Sequence, residues 1–256
     1  MLYNTDAVVV KTVRYGEHSA IVTLLTPSGL VSAMAKGALK PQSRLAAGTR
    51  LCAEGTYFLY QGHGMGDIRQ VQLTASRRRL HEDIEAAAYA AYFCDLALVS
   101  TPERPHAPTA MYNQFSAVLA ALELRDQTPP DLLARVYEAK ICSWLGASPD
   151  WERCIRCSQP LVPPIAYHMT EGGLVCGVCR RDMDRTAEFV VPERTGRLLS
   201  VFTEVDVRRL GRIQVSPPTR RALDTILSHQ LREFAGLHGR ARDVLDQIVQ
   251  SLRFDL

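Results

Sequence analysis

The chain has 256 residues, of which 46% are apolar, and a net charge of +3 at pH 7. This length suits one large domain or two ordinary ones with a real hydrophobic core. No stretch approaches the roughly 18 apolar residues of a membrane span, and the N-terminus lacks the basic start and apolar run of a signal peptide. We therefore expect no membrane association and a cytoplasmic location.

The charge is unevenly distributed along the chain. Residues 1–80 carry ten Lys or Arg against four Asp or Glu, a net charge of +6, while the remainder carries 20 against 23, a net charge of −3. Such asymmetry indicates that the N-terminal part meets a polyanion, for example a nucleic acid. A solvated surface with excess arginine is the alternative.

The first 80 residues have the pattern of β-structure. Their β-branched and apolar runs are separated by turns rich in Gly and Pro, and they predict strands at 6–15, 19–26, 30–36, 49–60 and 67–75. Five short strands in about 75 residues match an OB-fold barrel, although an SH3-like barrel or part of a β-sandwich fits the same pattern. The glycine-rich segment 62–66 lies between two strands and is interpreted as a hairpin tip.

Helical periodicity begins at about residue 81. It predicts helices at about 81–99, 109–124, 131–145, 193–211, 217–236 and 241–253, with a proline-containing loop at 101–108. The predicted fold is therefore α+β and multidomain. An OB-fold barrel over 1–80 is followed by a helical domain over 81–256, into which a cysteine module is inserted at about 150–182.

That module contains two C-x2-C pairs separated by 18 residues, formed by Cys154, Cys157, Cys176 and Cys179. The spacing is typical of a tetrahedral zinc site, and Gly172-Gly173 lets the chain turn back so that the pairs can meet. Two disulfides or unpaired core cysteines are the alternatives. Four thiolates fill the coordination shell, so we expect one structural Zn²⁺ rather than a catalytic one.

The remaining cysteines are predicted to be buried thiols in a reducing compartment, and they are Cys52, Cys94 and Cys142. Nothing in the sequence identifies an enzyme: it contains no phosphate-binding loop, no H-E-x-x-H and no G-x-S-x-G. A zinc hydrolase would need an open metal position, which four cysteines do not leave.

The residue pattern favours nucleic-acid binding by the barrel. A basic surface can follow a phosphodiester backbone, and exposed aromatic rings can stack on bases. The candidate cations are Lys11 and Arg14 on the first strand, and Lys36, Lys40 and Arg44 in the loop after the third. The candidate aromatics are Tyr57, Phe58 and Tyr60, of which we expect at least one to be buried. Residues 77–79, three arginines, either touch nucleic acid or form a solvated hinge.

Several short segments, in this order, resemble the bacterial recombination mediator family RecO. They are Tyr-Gly-Glu-x-Ser at 15–19, Thr-Pro-Ser-Gly at 26–29, Lys-Gly-Ala at 36–38, Ser-Arg at 43–44, Tyr-Glu at 137–138, Leu-Gly at 145–146 and Gly-Gly-Leu-x-Cys-x-x-Cys at 172–179. The resemblance spans almost the whole chain. It implies an OB-fold, a helical domain with a zinc module, and a role in DNA repair by homologous recombination.

The resemblance also implies partners. Proteins of this family bind single- and double-stranded DNA and anneal complementary strands. They act with RecR, and in many bacteria with RecF, to load RecA onto DNA coated by single-strand-binding protein (SSB). This activity would place the protein at the nucleoid. By resemblance, Lys36, Lys40 and Arg44 match the family's basic barrel loop, here interrupted by residues without charge.

The family's helical domain docks the acidic, apolar C-terminal tail of SSB. Arg135 and Lys140, on the predicted helix 131–145, are candidate cations for such a tail. A non-enzymatic, zinc-containing adaptor that joins other proteins is the alternative function.

Overall fold

The barrel of the N-terminal region is built from five strands. They are β1 (Leu2–Tyr15), β2 (Ser19–Thr26), β3 (Gly29–Ala35), β4 (Glu54–Tyr60) and β5 (Gly66–Ala75), and they close in the order β1-β2-β3-β5-β4. The computed structural model describes residues 1–62, 64–101, 109–124, 127–237 and 240–254. Four of the five predicted strands agree with these bounds to within a few residues, whereas β4 begins later than predicted.

The long strand β1 closes the barrel because it pairs with two neighbours. Its first half pairs with β4 and its second half with β2, and the register shifts between Val9 and Lys11. Such a bulge bends a strand and increases its twist, which lets one strand serve both sides of a small barrel. Strands β3 and β5 meet in parallel, at Ala33 opposite Gly66.

Along each strand, every second side chain points inward, and these side chains fill the barrel interior. The buried core consists of small and branched side chains together with one tyrosine, and its members are Ala7, Val9, Ala20, Val22, Leu24, Ala33, Ala35, Ala38, Ala53, Tyr57, Leu59 and Ile68. The Tyr57 hydroxyl donates to the carbonyl of Gly48 at 2.8 Å, so the ring is buried with its polar end satisfied.

Seven α-helices follow in the described part of the chain: α1 (Arg79–Glu82), α2 (Ile84–Ser100), α3 (Thr109–Leu124), α4 (Pro130–Trp144), α5 (Thr195–Glu204), α6 (Pro217–His229) and α7 (Arg240–Phe254). Asp83 caps α2 by accepting from the backbone N–H of Ala86 at 2.8 Å. The predicted helix 193–211 ends early, at Glu204, and the predicted helix 217–236 finishes in a π-helical turn, Gln230–Phe234. Except for Thr101, the predicted loop 101–108 lies outside the described residues.

Between α4 and α5 the cysteine module extends beyond its predicted end at about residue 182 and contains a small sheet that the sequence pattern did not predict. Its strands are β6 (Ala166–His168), β7 (Gly173–Val175) and β8 (Glu188–Val190), in the antiparallel order β7-β6-β8. Three-residue strands are too short to show alternation, so periodicity cannot detect them.

Contacts within the chain define two compact units, Met1–Asp126 with Gly239–Leu256, and Gln127–His238. The first contains the barrel, with α2 packed against β1 and α7; the second contains α4 to α6 and the cysteine module. The predicted fold class is confirmed, with an OB-type barrel followed by a helical region that holds the four-cysteine cluster. The domain boundary at residue 80 stays a prediction. Across the described residues, no helix combines the length and apolarity that crossing a membrane requires.

Candidate metal centre and nucleic-acid interface

The four cysteines of the predicted metal site lie together. Their Sγ atoms are all within 4.8 Å of one another, and those of Cys157 and Cys176 are 4.0 Å apart. All four are free thiols rather than disulfides. A tetrahedron with Zn–S bonds of about 2.3 Å has sulfur–sulfur edges of about 3.8 Å. The donor set and its spacing therefore fit one Zn²⁺.

Two tight turns present these sulfurs. After the first pair, the N–H of Ser158 donates to the carbonyl of Cys154 at 2.8 Å; in the second, the N–H of Arg180 donates to the carbonyl of Cys176 at 3.1 Å. The chain turns back between them at Gly172, whose φ of +65° favours glycine. The turn places β6 beside β7 and brings the second pair to the first.

The backbone around the cluster favours a thiolate at Cys154. Burial raises the pKa of this thiol, but the N–H groups of Cys176, Cys157 and Arg156 outweigh burial and lower it to about 7. At Cys179, hydrogen bonds with the sulfurs of Cys157 and Cys176 raise the pKa to about 12. The closely spaced sulfur atoms thus disfavour a second thiolate in the cluster. A bound divalent cation would stabilise the additional thiolates.

Two contacts fix the second turn to the rest of the module. A Cβ atom at Gly177 would lie 2.6 Å from the carbonyl oxygen of Pro163, so the approach requires glycine. The buried guanidinium of Arg180 donates to the carboxylate of Glu188 on β8 at 2.6 to 3.1 Å. This hydrogen bonding lowers the pKa of Glu188, which keeps the pair ionised.

On the barrel, Arg14 and the basic loop 36–44 adjoin the same turn. The Arg14 guanidinium donates to the carbonyls of Gly16 and Glu17 at 3.2 and 3.3 Å. The backbone N–H of Leu39 donates to the carbonyl of His18 at 2.9 Å. The structure therefore brings Arg14 beside the loop that carries Lys36, Lys40 and Arg44.

The remaining predicted cations have different surroundings. Lys40 and Arg44 are exposed in the loop. Lys36 is exposed too, but its Nζ lies 2.9 Å from a carboxylate oxygen of Asp67. Lys11 lies beside α2, where its charge offsets part of the burial that raises the pKa of Asp95.

Sequence reasoning missed one feature of the barrel surface. Arg69 on β5 lies over the ring of Tyr60, 5.2 Å from its centroid, and also pairs with Asp67 at 3.3 Å. Tyr60 is 40% exposed whereas Tyr57 is fully buried, which confirms that at least one candidate aromatic belongs to the core. The spacing of Asp67 and Arg69, two residues apart on one strand, could have indicated that they share a face. The sequence did not show that Tyr60 on the neighbouring strand would complete the cluster.

Neither predicted alternative for the arginine run 77–79 describes Arg77. Its side chain is 10% exposed and pairs with Glu54 at 2.5 Å and with Glu123 at 3.2 Å. Arg78, by contrast, is 78% exposed and pairs with Glu82 within its own segment. Arg77 is thus an internal ionic link between the barrel and α3, and its neighbour is a surface residue.

The two candidate partner-binding cations are buried. Arg135 is 5% exposed and its guanidinium donates to the carboxylates of Glu138 and Asp224. Lys140 is 3% exposed and donates to the carbonyl of Thr203 at 3.2 Å. A docking tail would have to displace these bonds. The structure gives this role no support, and it stays a prediction.

Two protein-family profiles together match most of the chain. The profile of "Recombination protein O N terminal" matches residues 1–77, and that of "Recombination protein O C terminal" matches residues 81–242. The chain belongs to the RecO family. The RecO resemblance read from the short segments is therefore confirmed.

Curated relatives agree with this assignment. The DNA repair protein RecO of Halalkalibacterium halodurans is 31% identical over 249 residues, which cover 97% of this chain and 96% of that protein. The DNA repair protein RecO of Bacillus mycoides is 31% identical, covering 97% and 98%, and that of Bacillus anthracis is 30% identical with the same coverage. RecO proteins act in DNA repair, and this chain is a member along nearly its whole length.

Proposed function

We propose that this protein is a DNA-binding recombination mediator without catalytic activity. It binds single- and double-stranded DNA through the barrel and promotes the annealing of complementary strands. Together with RecR and RecF it helps to load RecA onto SSB-coated DNA in the cytoplasm, at the nucleoid. The observation that carries the proposal is a closed OB-type barrel with exposed cations beside its β1–β2 turn, in a chain of the RecO family.

The exposed cations account for binding without sequence preference. Lys40 and Arg44 are exposed in the loop, and Lys36 and Arg14 adjoin it. In the OB-fold, oligonucleotides bind at the face of strands 2 and 3 and at the loops between strands 1 and 2 and between strands 4 and 5. Contacts of this kind neutralise phosphates and leave the base edges free to pair with a complementary strand.

We further propose that Cys154, Cys157, Cys176 and Cys179 hold one structural Zn²⁺. Bound there, the ion would supply four bonds to sulfur that fix the two turns relative to each other. The chain's own residues support the second of these turns independently, through Gly177 and through the pair Arg180–Glu188. The ion would therefore bind to four sulfur atoms that the folded module already holds close together.

Replacing Lys36, Lys40 and Arg44 together by Ala tests the barrel assignment. Fluorescence anisotropy with single-stranded DNA across a salt series should show at least about tenfold weaker binding. The dependence of log affinity on log salt should be shallower by about 2, because three phosphate contacts are lost. The matched control replaces three exposed arginines of the second compact unit, Arg181, Arg209 and Arg212. Equal losses in both variants would contradict the barrel assignment.

A strand-annealing assay with and without SSB tests the mediator function. The wild-type protein should accelerate annealing of naked strands and retain this effect when SSB coats them, while the triple barrel variant should not. If the wild-type protein shows no salt-dependent DNA binding, the mediator proposal fails and the zinc-containing adaptor becomes the better account.

A further inference from the structure

Four side chains on the barrel surface form a continuous chain of contacts, and we call them the β5 quartet: Lys36, Tyr60, Asp67 and Arg69. The Lys36 Nζ lies 2.9 Å from an Asp67 carboxylate oxygen, to which Arg69 also donates at 3.3 Å. The Arg69 guanidinium then covers the Tyr60 ring at 5.2 Å from its centroid. One acid thus holds two cations, and one of those cations lies against an exposed aromatic ring.

The barrel topology, rather than proximity in sequence, assembles this quartet. Asp67 lies opposite Tyr60 in the antiparallel pairing of β4 with β5, and opposite Met34 in the parallel pairing of β3 with β5. Lys36 follows two residues after Met34, just beyond the end of β3, and Arg69 follows two after Asp67, at the register shift of the β4–β5 pairing; both are exposed. The quartet therefore lies where β3, β4 and β5 meet, next to the segment that joins β4 to β5.

The exposures within the quartet match a ligand-binding role. The side chains of Lys36 and Arg69 are 68% and 54% exposed, and Asp67 is 15% exposed beneath them. An arginine that packs on an aromatic ring presents a flat, positively charged plane. A base can stack on such a plane whatever its sequence, because every base has a π-face.

We propose that the β5 quartet binds one unpaired nucleotide of single-stranded DNA. The base stacks on the platform of Tyr60 and Arg69, and the adjoining phosphate displaces Asp67 as the partner of Lys36. Asp67 is then an internal counter-charge: it keeps both cations in place in the free protein and competes with DNA for them. This proposal rests on DNA binding by the barrel and assigns to it a specific subsite for a single strand.

The stacking part is tested with Tyr60→Ala. Loss of one stacked base should weaken single-stranded DNA binding about fivefold or more, the lower end of the range for such contacts. Double-stranded DNA, whose bases are already stacked in pairs, should bind unchanged. The matched control is Leu73→Ala, which removes another exposed apolar side chain from β5 and should change neither affinity.

Two further measurements make this test independent of folding. Tyr60→Phe keeps the ring and should restore wild-type affinity for the single strand. With the wild-type protein, an oligonucleotide containing the fluorescent base 2-aminopurine should be quenched on binding, as expected for stacking. Equal weakening of single- and double-stranded binding by Tyr60→Ala, or an unquenched probe, would overturn the platform.

The counter-charge part is tested with Asp67→Asn. Freeing two cations should strengthen single-stranded DNA binding about two- to fivefold, the scale of one exposed ion pair. It should also steepen the salt dependence by about 0.7 for each additional phosphate neutralised. The matched control is Asp6→Asn, which changes the net charge equally at an exposed barrel residue whose carboxylate accepts from Thr56 at 2.7 Å. Weaker binding by Asp67→Asn, or an equal gain in both variants, would overturn this role.

These outcomes separate the subsite from the general function. If the triple barrel variant loses DNA but Tyr60→Ala and Asp67→Asn behave as the wild type, the quartet is wrong and the barrel function stands. If the wild-type protein shows no salt-dependent binding to either form of DNA, the proposed function itself fails.

Discussion

The barrel and the cysteine module use cations in opposite ways. On the barrel surface, Lys36, Lys40 and Arg44 are exposed and within reach of a ligand, although Lys36 also pairs with Asp67. In the module, the charge of Arg180 is buried against Glu188. Burying an ion pair costs desolvation free energy, which is offset only when hydrogen-bonding partners satisfy both charges. Exposed cations keep their hydration until a ligand replaces it. Burial, and not residue type, therefore separates cations that hold the fold from cations that can bind DNA.

Removing a cysteine of the cluster should have the largest effect of all. Cys179→Ser should abolish binding of one zinc per chain and destabilise the module by at least about 4 kcal/mol, because metal binding and folding are coupled. Metal analysis and chemical unfolding measure the two consequences. Cys94→Ser, a buried thiol outside the cluster, should keep its zinc; loss of zinc there as well would contradict a site made of these four sulfurs.

Breaking the buried pair of the module should come next. Arg180→Met leaves the Glu188 carboxylate without its main partner and should destabilise the protein by about 3 kcal/mol. Denaturant unfolding measures this, and metal content should be retained. The exposed Arg181, next in the chain, is the matched control, and Arg181→Met should change stability by less than about 0.5 kcal/mol. Equal effects at both positions would show that burial does not distinguish them.

The arginine run after β5 allows the same comparison within the barrel unit. Arg77→Met should destabilise by about 2 to 3 kcal/mol, because Glu54 and Glu123 lose a buried partner. Arg78→Met, at the exposed neighbour, should stay within about 0.5 kcal/mol. Thermal unfolding compares the pair. A larger loss at Arg78 would contradict the internal link.

Lys140 should give the smallest effect on stability and tests a partner role at the same time. Burial lowers the pKa of its amine, so the folded state releases its proton more readily than the unfolded one, and stability should rise as pH increases from the folded pKa toward the unfolded value. Lys140→Met should remove this rise and stabilise by about 0 to 1 kcal/mol at pH 7.

Unfolding curves across alkaline pH measure this contribution, and Lys40→Met, at an exposed lysine, is the control. If Lys140 contacts an acidic SSB tail, the same variant should also bind a tail peptide more weakly. Unchanged peptide binding would remove Lys140 from the candidate partner residues.

Local pattern explains why so much of the architecture was predictable. Strand alternation and turn residues gave the barrel strands, and helical periodicity placed α2, α3 and α4 within a few residues. The spacing of the cysteines predicted their cluster, because a C-x2-C turn fixes the relative positions of its two sulfurs. The three-residue strands of the module escaped prediction because three residues are too few to establish the two-residue alternation of a strand.

The candidate site was predictable only in part. The loop cations were identified from composition, but Arg69 was not, because its significance depends on Tyr60 across the β4–β5 pairing. Arg135 and Lys140 lie on a helix whose apolar face could be read from the sequence, but the pattern did not identify their partners Asp224 and Thr203, which are distant in sequence. Contacts between residues distant in sequence exist only in the folded chain. Sequence periodicity reflects only the relation between residues a few positions apart.

The sequence by itself determined the family, the barrel, the helical region and the four-cysteine cluster, because each depends on spacing over short distances. Only the tertiary structure decided which charges are available. It neutralised Arg77 and Arg180 with carboxylates brought from other elements, and it joined Lys36, Asp67, Arg69 and Tyr60 across three strands. The physical reason is that the strength and the accessibility of a charge depend on burial and on its partners, and both exist only once the chain has folded.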